Sequence, residues 1–255
     1  MPSLIETESP KQGIAVVTLN RAERRNALSI AMMKELIETI NRLEQDVVTR
    51  VMILRGDGPV FCAGLDLAEA SDMHLVRESA QCVAKTLASL RFSPLVTIAA
   101  VHGGAYAGGA GVVAACDMAV GASDLHIGFP EARRGLLPAL ISDVLKTKVR
   151  EGDLTELFLV GDPIPATRAQ QIGLLQRVAE PSRVMEEAMK LANGILAGGP
   201  QTIRDTKVLV HRAYSASDHH GTSIDDHLQA RFSDEAAEGL KAFLEKRPPN
   251  WMTAS

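Results

Sequence analysis

Three short stretches carry the residue types that can do chemistry. His102–Gly111 reads HGGAYAGGAG, half of it glycine, directly after the apolar run Leu95–Val101. Glycine gives up more backbone freedom on folding than any other residue, so this density at a strand end needs a reason. Tight packing of a helix start is one. The sharper one is close approach of main-chain N–H groups to a ligand. With no side chain in the way, an amide at a helix start can point at an oxygen that gains negative charge, and the helix dipole adds to the effect. Such an anion hole normally takes a second donor from elsewhere. FCAGLDL (61–67) supplies a candidate, because Ala63–Gly64 can turn after a strand and leave the Leu65 N–H facing the same point. The third stretch, HIGFPEARRGLLP, sets Glu131 after Pro130 at a predicted helix start. A carboxylate there can carry a proton, or it can simply balance the dipole of the first turn.

Two rival readings use the same residues. GGAGVVA (Gly108–Ala114) contains GxGxxA, a dinucleotide fingerprint. That motif belongs at the very end of a strand, with an acidic residue closing the next one. Here about seven residues intervene and MAVGAS follows, so both contexts are missing. Tyr106, inside the glycine loop, can donate a hydrogen bond near a ligand or pack its ring on the loop.

The elements that must position these residues follow from periodicity. IAVVTL (Ile14–Leu19) predicts a strand, and NRAERRNAL a loop. Ser29 is a good N-cap for a helix over Ile30–Gln45, with Met33, Leu36, Ile37, Ile40 and Leu43 on one face. Val51–Leu54 predicts a short strand ended by the turn cluster GDGP. Ser71 is placed to cap a helix reaching about Leu90, which Pro94 stops before the strand LVTIAAV. VVAAC predicts a short helix and Met118–Val120 another strand. From about Ala139 the pattern is helical, interrupted by a strand near Gln176–Ala179. Alternating strands and helices predict an α/β layered fold. The expected division is a core over 1–195 and a helical region over 196–255 that serves assembly or covers a site.

Composition bounds the rest. The chain has 255 residues, 46% apolar but only 4% aromatic, so its core must be aliphatic. A net charge of −4 without a basic block argues against nucleic acid, and an anionic ligand would need a local basic patch. No apolar run reaches the roughly 18 residues of a membrane span. MPSLIETESP has neither a basic nor an apolar leader region, so secretion is not expected. Cys62, Cys82 and Cys116 have neither CxxC nor metal-ligand spacing and read as reduced thiols of a cytoplasmic protein. His219, His220 and His227 near Asp225 and Asp226 fit no recognised ligand spacing and read as a polar helix start, so no metal is expected.

Nearly end to end, the chain resembles the enoyl-CoA hydratase/isomerase (crotonase) family. The resemblance lies in LNRAERRNALS, FCAGLDL, SPLVTIAAVHGGAYAGGAG through AACDMAVGASDLHIGFPEARRGLLP, GDPIPATRAQQIGLLQRV and EGLKAFLEKRPPNW. It implies a crotonase-like spiral of ββα units with a helical C-terminal region. It also implies a homotrimer or a hexamer (a dimer of trimers), and an acyl-CoA thioester as substrate. Coenzyme A is then part of the substrate and no separate cofactor is expected. Carried over by position, the oxyanion donors fall on the Leu65 and Gly108 amides. Of the two glutamates that face the double bond in the family's hydratases, the second falls on Glu131 and the first on Gly111. That departure leaves one carboxylate and is expected to widen the acyl pocket. LLPALIS, where family members often have IIPGAGG, is a second departure. Ala139 stands where the family's dienoyl isomerases have a further acid. Arg24 and Arg25 fall where the family touches the coenzyme, although both can be solvated loop charge. Ala63, Asp66 and Leu67 fall along the adenine end. Lys246 matches a lysine that reaches a coenzyme phosphate, often in a neighbouring subunit. The resemblance implies hydration or dehydration of a branched or bulky enoyl-CoA through an oxyanion-stabilised enolate. Double-bond isomerisation by the single glutamate, and acyl-CoA binding without turnover, are the alternatives.

Overall fold

The β-branched runs become strands of two sheets that the chain visits in turn. The computed structural model describes residues 3–214 and 233–253. Its strands are β1 (Ile5–Lys11), β2 (Ile14–Leu19), β3 (Val51–Gly56), β4 (Val96–Val101), β5 (Gly104–Tyr106), β6 (Met118–Ala122), β7 (His126–Gly128), β8 (Ile164–Pro165) and β9 (Arg177–Ala179). The larger sheet runs β1-β2-β3-β4-β6-β9 and the smaller β5-β7-β8. Only β1 and β2 pair antiparallel in the large sheet; the others are parallel, with Val51 opposite Val96 and Ile98 opposite Met118. Every residue of β2 and β4 is buried, as expected of parallel strands covered on both faces.

Each turn of the chain climbs a strand of the large sheet, bends into the small one and returns through helix. β4, β5 and the helix after them make one turn; β6 and β7 begin the next, with β5 and β7 parallel. In the turn before, the small-sheet position shrinks to a single bridge, Cys62 to Ala105. This is the spiral of ββα units that the resemblance implies.

The helices close the layer. Helix α1 (Ile30–Gln45) starts where Ser29 accepts a hydrogen bond from the Met32 N–H, and buries Met33, Leu36, Ile40 and Leu43. Ile37 is only half-buried, and Met32 takes the deep position instead. The expected Ser71 cap is overturned. Asp66 caps α2 (Leu67–Ser71), its side chain accepting from the Ala68 N–H, and Ser71 ends that helix. Helix α3 (Val76–Phe92) then begins separately. Helix α4 (Gly108–Ala115) is buried at all eight positions and packs among α3 and α5 (Ala139–Leu145). Helices α6 (Glu151–Val160), α7 (Ala166–Gln171) and α8 (Val184–Leu196) follow.

The chain divides into two compact units after Lys190, inside α8. The sequence boundary at 195 lies in the same helix. Within the second unit, Glu235 receives the Gln201 and Thr202 N–H groups of helix Pro200–Ala213, and the Trp251 indole N–H donates to Ala197 O at 3.1 Å. His219, His220, Asp225, Asp226 and His227 lie outside the described residues. Among the described residues no helix is long and apolar enough to cross a membrane.

Candidate active site

A single bridge sets two amides side by side. The Cys62 N–H donates to Gly104 O at 3.2 Å and the Tyr106 N–H donates to Cys62 O at 3.0 Å, so the segments after them run parallel. Carried three residues on, the register brings Leu65 opposite Gly108. Contacts agree: a Cβ on Gly108 would stand 3.9 Å from Leu65 Cγ. Two glycines permit the approach. At Gly64, where φ is +98°, a Cβ would lie 2.9 Å from Tyr106 O; at Gly109 it would lie 2.6 Å from Cys62 O.

Both amides are left without an acceptor among the described residues. Leu65 bridges Leu28 through its neighbours: the Leu28 N–H donates to Gly64 O at 2.8 Å, and the Asp66 N–H to Leu28 O at 3.1 Å. In a parallel bridge of this kind the central residue's own N–H points the other way. Gly108 opens α4, where the first amides of any helix lack an internal partner. Neither N–H donates to an acceptor among the described residues. The residue before Gly108 is strained to achieve this. Ala107 has φ 49° and ψ −121°, a conformation that costs about 1–3 kcal/mol outside glycine, and its N–H is pinned to Gly128 O at 2.8 Å.

Glu131 follows β7 through two anchoring residues. Phe129 is fully buried, its ring edge-on to Phe158 with centroids 5.7 Å apart. Pro130 then turns the chain into a short 3-10 turn at Ala132–Arg134. Glu131 caps nothing with its side chain. Its Oε2 is buried with no hydrogen-bond partner among the described residues. Burial pushes its pKa up from the usual carboxylate value, while its own backbone and the Arg134 guanidinium pull the other way by less. An orphaned carboxylate oxygen is costly to a fold and marks a functional candidate. Leu65, Gly108 and Glu131 all line one cleft of about 720 Å³, a size suited to a ligand.

The family model described as enoyl-CoA hydratase/isomerase matches residues 9–254. A Thermus thermophilus relative carrying an enoyl-CoA hydratase name is 35% identical over 249 residues, spanning 94% of this chain and 98% of its own length. The mouse mitochondrial methylglutaconyl-CoA hydratase is 30% identical over 254 residues, spanning 96% of this chain and 81% of its own. A solved Mycobacterium smegmatis enoyl-CoA hydratase superposes with a TM-score of 0.92 at 29% identity, over 98% of this chain and 99% of that one. This chain belongs to the enoyl-CoA hydratase/isomerase family. It is an enzyme with the crotonase fold, and the cleft is its candidate active site.

The remaining site residues divide. Arg24, Arg25, Ala63, Asp66 and Leu67 all line the cleft with the three catalytic candidates. The side chains of Arg24 and Arg25 are exposed and pair with no acid among the described residues. Arg134, which the sequence reading passed over, joins them on the cleft wall, so an anion meets three cations there. Its signal was position: it sits one turn after Glu131. Asp66 is already committed, paired with Arg21 at 2.7 Å, and that guanidinium holds its carboxyl below the usual range. It positions the loop rather than offering a free charge. Asn26 was also missed. Fully buried at φ 52°, it donates to Asp57, Val60 and Phe61 carbonyls and so fastens the Arg24–Arg25 turn to the start of FCAGLDL. Tyr106 packs its ring over Gly104 and Gly128. Lys246 belongs to the second unit and is exposed.

Gly111 requires a correction. It is buried and is not among the residues that line the cleft. A Cβ there would stand 2.5 Å from Ile141 Cγ2 and 3.6 Å from Leu87 Cδ2. The volume released by the missing side chain is occupied by Ile141, so Gly111 does not widen the acyl pocket.

Proposed function

We propose that this enzyme hydrates and dehydrates an enoyl-CoA thioester with a branched or bulky acyl chain, using Glu131 as its one acid–base group. The thioester oxygen sits between the Leu65 and Gly108 amides. In hydration the Glu131 carboxylate takes a proton from water as the water oxygen bonds to C3. The double-bond electrons move toward C2 and the thioester oxygen, where both N–H groups stabilise the enolate. Glu131 then returns its proton to C2. Acid–base help of this kind is worth about 10²–10⁴ in rate, and one well-aimed donor about 10²–10³. Arg24 and Arg25 meet coenzyme phosphates, Lys246 reaches a phosphate in the site of a neighbouring subunit, and Ala63, Asp66 and Leu67 line the adenine end. The apolar side chains of Leu136, Leu137 and Leu140, all substantially exposed on the cleft, suit a bulky hydrocarbon. The step so described uses no separate cofactor.

The observation that carries this reading is the buried Glu131 Oε2 in the same cleft as two amides, none of the three with a hydrogen-bond partner among the described residues. A second reading has its own support. Ile141 stands where a second carboxylate would reach, and one carboxylate suffices to move a proton from C2 to C4 of a 3-enoyl thioester. Incubation of 2-enoyl and 3-enoyl thioesters in deuterated water separates the two. Hydration removes conjugated-thioester absorbance from the first; isomerisation creates it from the second. Glu131→Gln is expected to lower either rate by about 10²–10⁴. Binding without turnover of any thioester, unchanged by that substitution, would contradict both.

A further inference from the structure

The two departures noted in the sequence meet at one point in space. Gly111 lies in α4 and Ile141 in α5, thirty residues apart, and Ile141 Cγ2 occupies the place where a residue-111 side chain would start. Set against the IIPGAGG that the resemblance implies at LLPALIS, Ile141 falls on a glycine. Large and small have therefore changed places: glycine for glutamate on α4, isoleucine for glycine on α5. Ile141 is 3% exposed, yet it lines the cleft that holds Glu131, Leu65 and Gly108.

We propose that Ile141 is the specificity-determining wall of the acyl end. Seated in the recess that Gly111 leaves, it presents methyl groups to the substrate where a carboxylate would otherwise stand, and it sets the bulk accepted beside the reacting carbons. The substrate side of this inference rests on the thioester reading above; the packing side does not. Three features follow from the pairing. The wall is packed rather than projecting freely, because Ile141 is buried on α5, which lies against α3 and α4. It carries no charge, which leaves Glu131 as the carboxylate with a buried, unpartnered oxygen among the described cleft-lining residues, since Asp66 is paired with Arg21. Its position also depends on residue 111 having no Cβ.

The test uses Gly111→Ala, Ile141→Ala, Ile141→Val, which keeps Cγ2 but removes the terminal methyl, and Gly111→Ala combined with each of the two Ile141 variants. In the wild-type background and in Ile141→Val, Gly111→Ala lowers Tm by several degrees, because its Cβ meets Cγ2. In the Ile141→Ala background the same change leaves Tm unchanged or raises it. Such a reversal of sign is the signature of direct coupling. Kinetically, one methylene in an apolar pocket shifts discrimination by roughly 10–200-fold. Ile141→Ala is expected to raise the ratio of kcat/KM for a branched or longer enoyl-CoA over crotonyl-CoA by about 10-fold or more, and Ile141→Val by less. An equal loss of Tm from Gly111→Ala in every background overturns the pairing. Uniform scaling of all thioesters by Ile141→Ala and Ile141→Val overturns the specificity role while leaving the thioester reading intact. Wild-type failure to turn over any thioester removes that reading and the specificity role together, with the Tm cycle still reporting the packing.

Discussion

Glu131 is the residue to which the proposed mechanism gives the proton transfer, and its environment has consequences in pH. Burial raises its folded-state pKa above the unfolded value of 4.5. A raised carboxylate pKa means that the fold disfavours the ionised form. This group's penalty is absent below pH 4.5 and complete once pH has risen through the folded value. Stability measured above that value is therefore expected to increase in Glu131→Gln, even as activity collapses. Hydration needs the ionised carboxylate, so kcat/KM should fall as pH drops through a midpoint above 4.5, and that limb should vanish in the variant. A midpoint at or below 4.5 would mean that the carboxylate is solvated. The sequence showed the position of Glu131 but not its status. A first-turn acid and an orphaned acid look the same in one dimension; only the folded chain buries one of the two oxygens. The Gly111–Ile141 exchange was invisible for a related reason. Each departure was visible alone, and nothing in spacing tells that two positions thirty residues apart share one volume.

At the scale of elements, the two loops proposed to hold the thioester oxygen are set by backbone geometry rather than by side chains. Gly64 is the most exposed to test. Its φ of +98° and the 2.9 Å between a Cβ and Tyr106 O leave no room for any other residue. Gly64→Ala is expected to cost about 1–3 kcal/mol of stability, read by denaturant unfolding. It should also lower kcat about 10²-fold, because a displacement of the Leu65 amide near 1 Å misaligns it. Unchanged kcat would show that the Leu65 amide holds no oxyanion. Long periodic elements were legible: β2, α1 and α8 fall where their apolar patterns place them. The small sheet was not, because β5, β7 and β8 have three, three and two residues, too few for any period to declare itself. β1 was missed because only Ile5 of its seven residues is buried; it is a polar edge strand. Ser71 caps nothing because a short helix capped by Asp66 already ends on it, and the helix that reaches Leu90 starts later, after Leu75, without a side-chain cap.

At the scale of the whole molecule, the spiral explains how distant segments make one site. Each turn of ββα places its bend beside the bend before it, so Cys62, Ala105 and Ile127 fall in neighbouring layers and carry Leu65, Gly108 and Glu131 with them. The resemblance made this fold legible; composition alone reached only an aliphatic α/β layer. Assembly belongs to this scale too. In the second unit Val208, Leu209 and Val210 are 51%, 47% and 50% exposed, a run of apolar surface that a trimer interface would cover. Sedimentation is expected to give three or six times the chain mass of 27.3 kDa, and a stable monomer at working concentration would exclude that assembly.

The most direct measurement is a crystal structure with a non-reactive acyl-CoA thioester analogue bound. The thioester oxygen should lie about 2.7–3.1 Å from both the Leu65 and Gly108 nitrogens. The Glu131 carboxylate should reach the adjacent carbons, Ile141 should touch the acyl chain, and coenzyme phosphates should meet Arg24 and Arg25. A thioester carbonyl bound away from those two amides, or Glu131 turned to bulk solvent, would contradict the account.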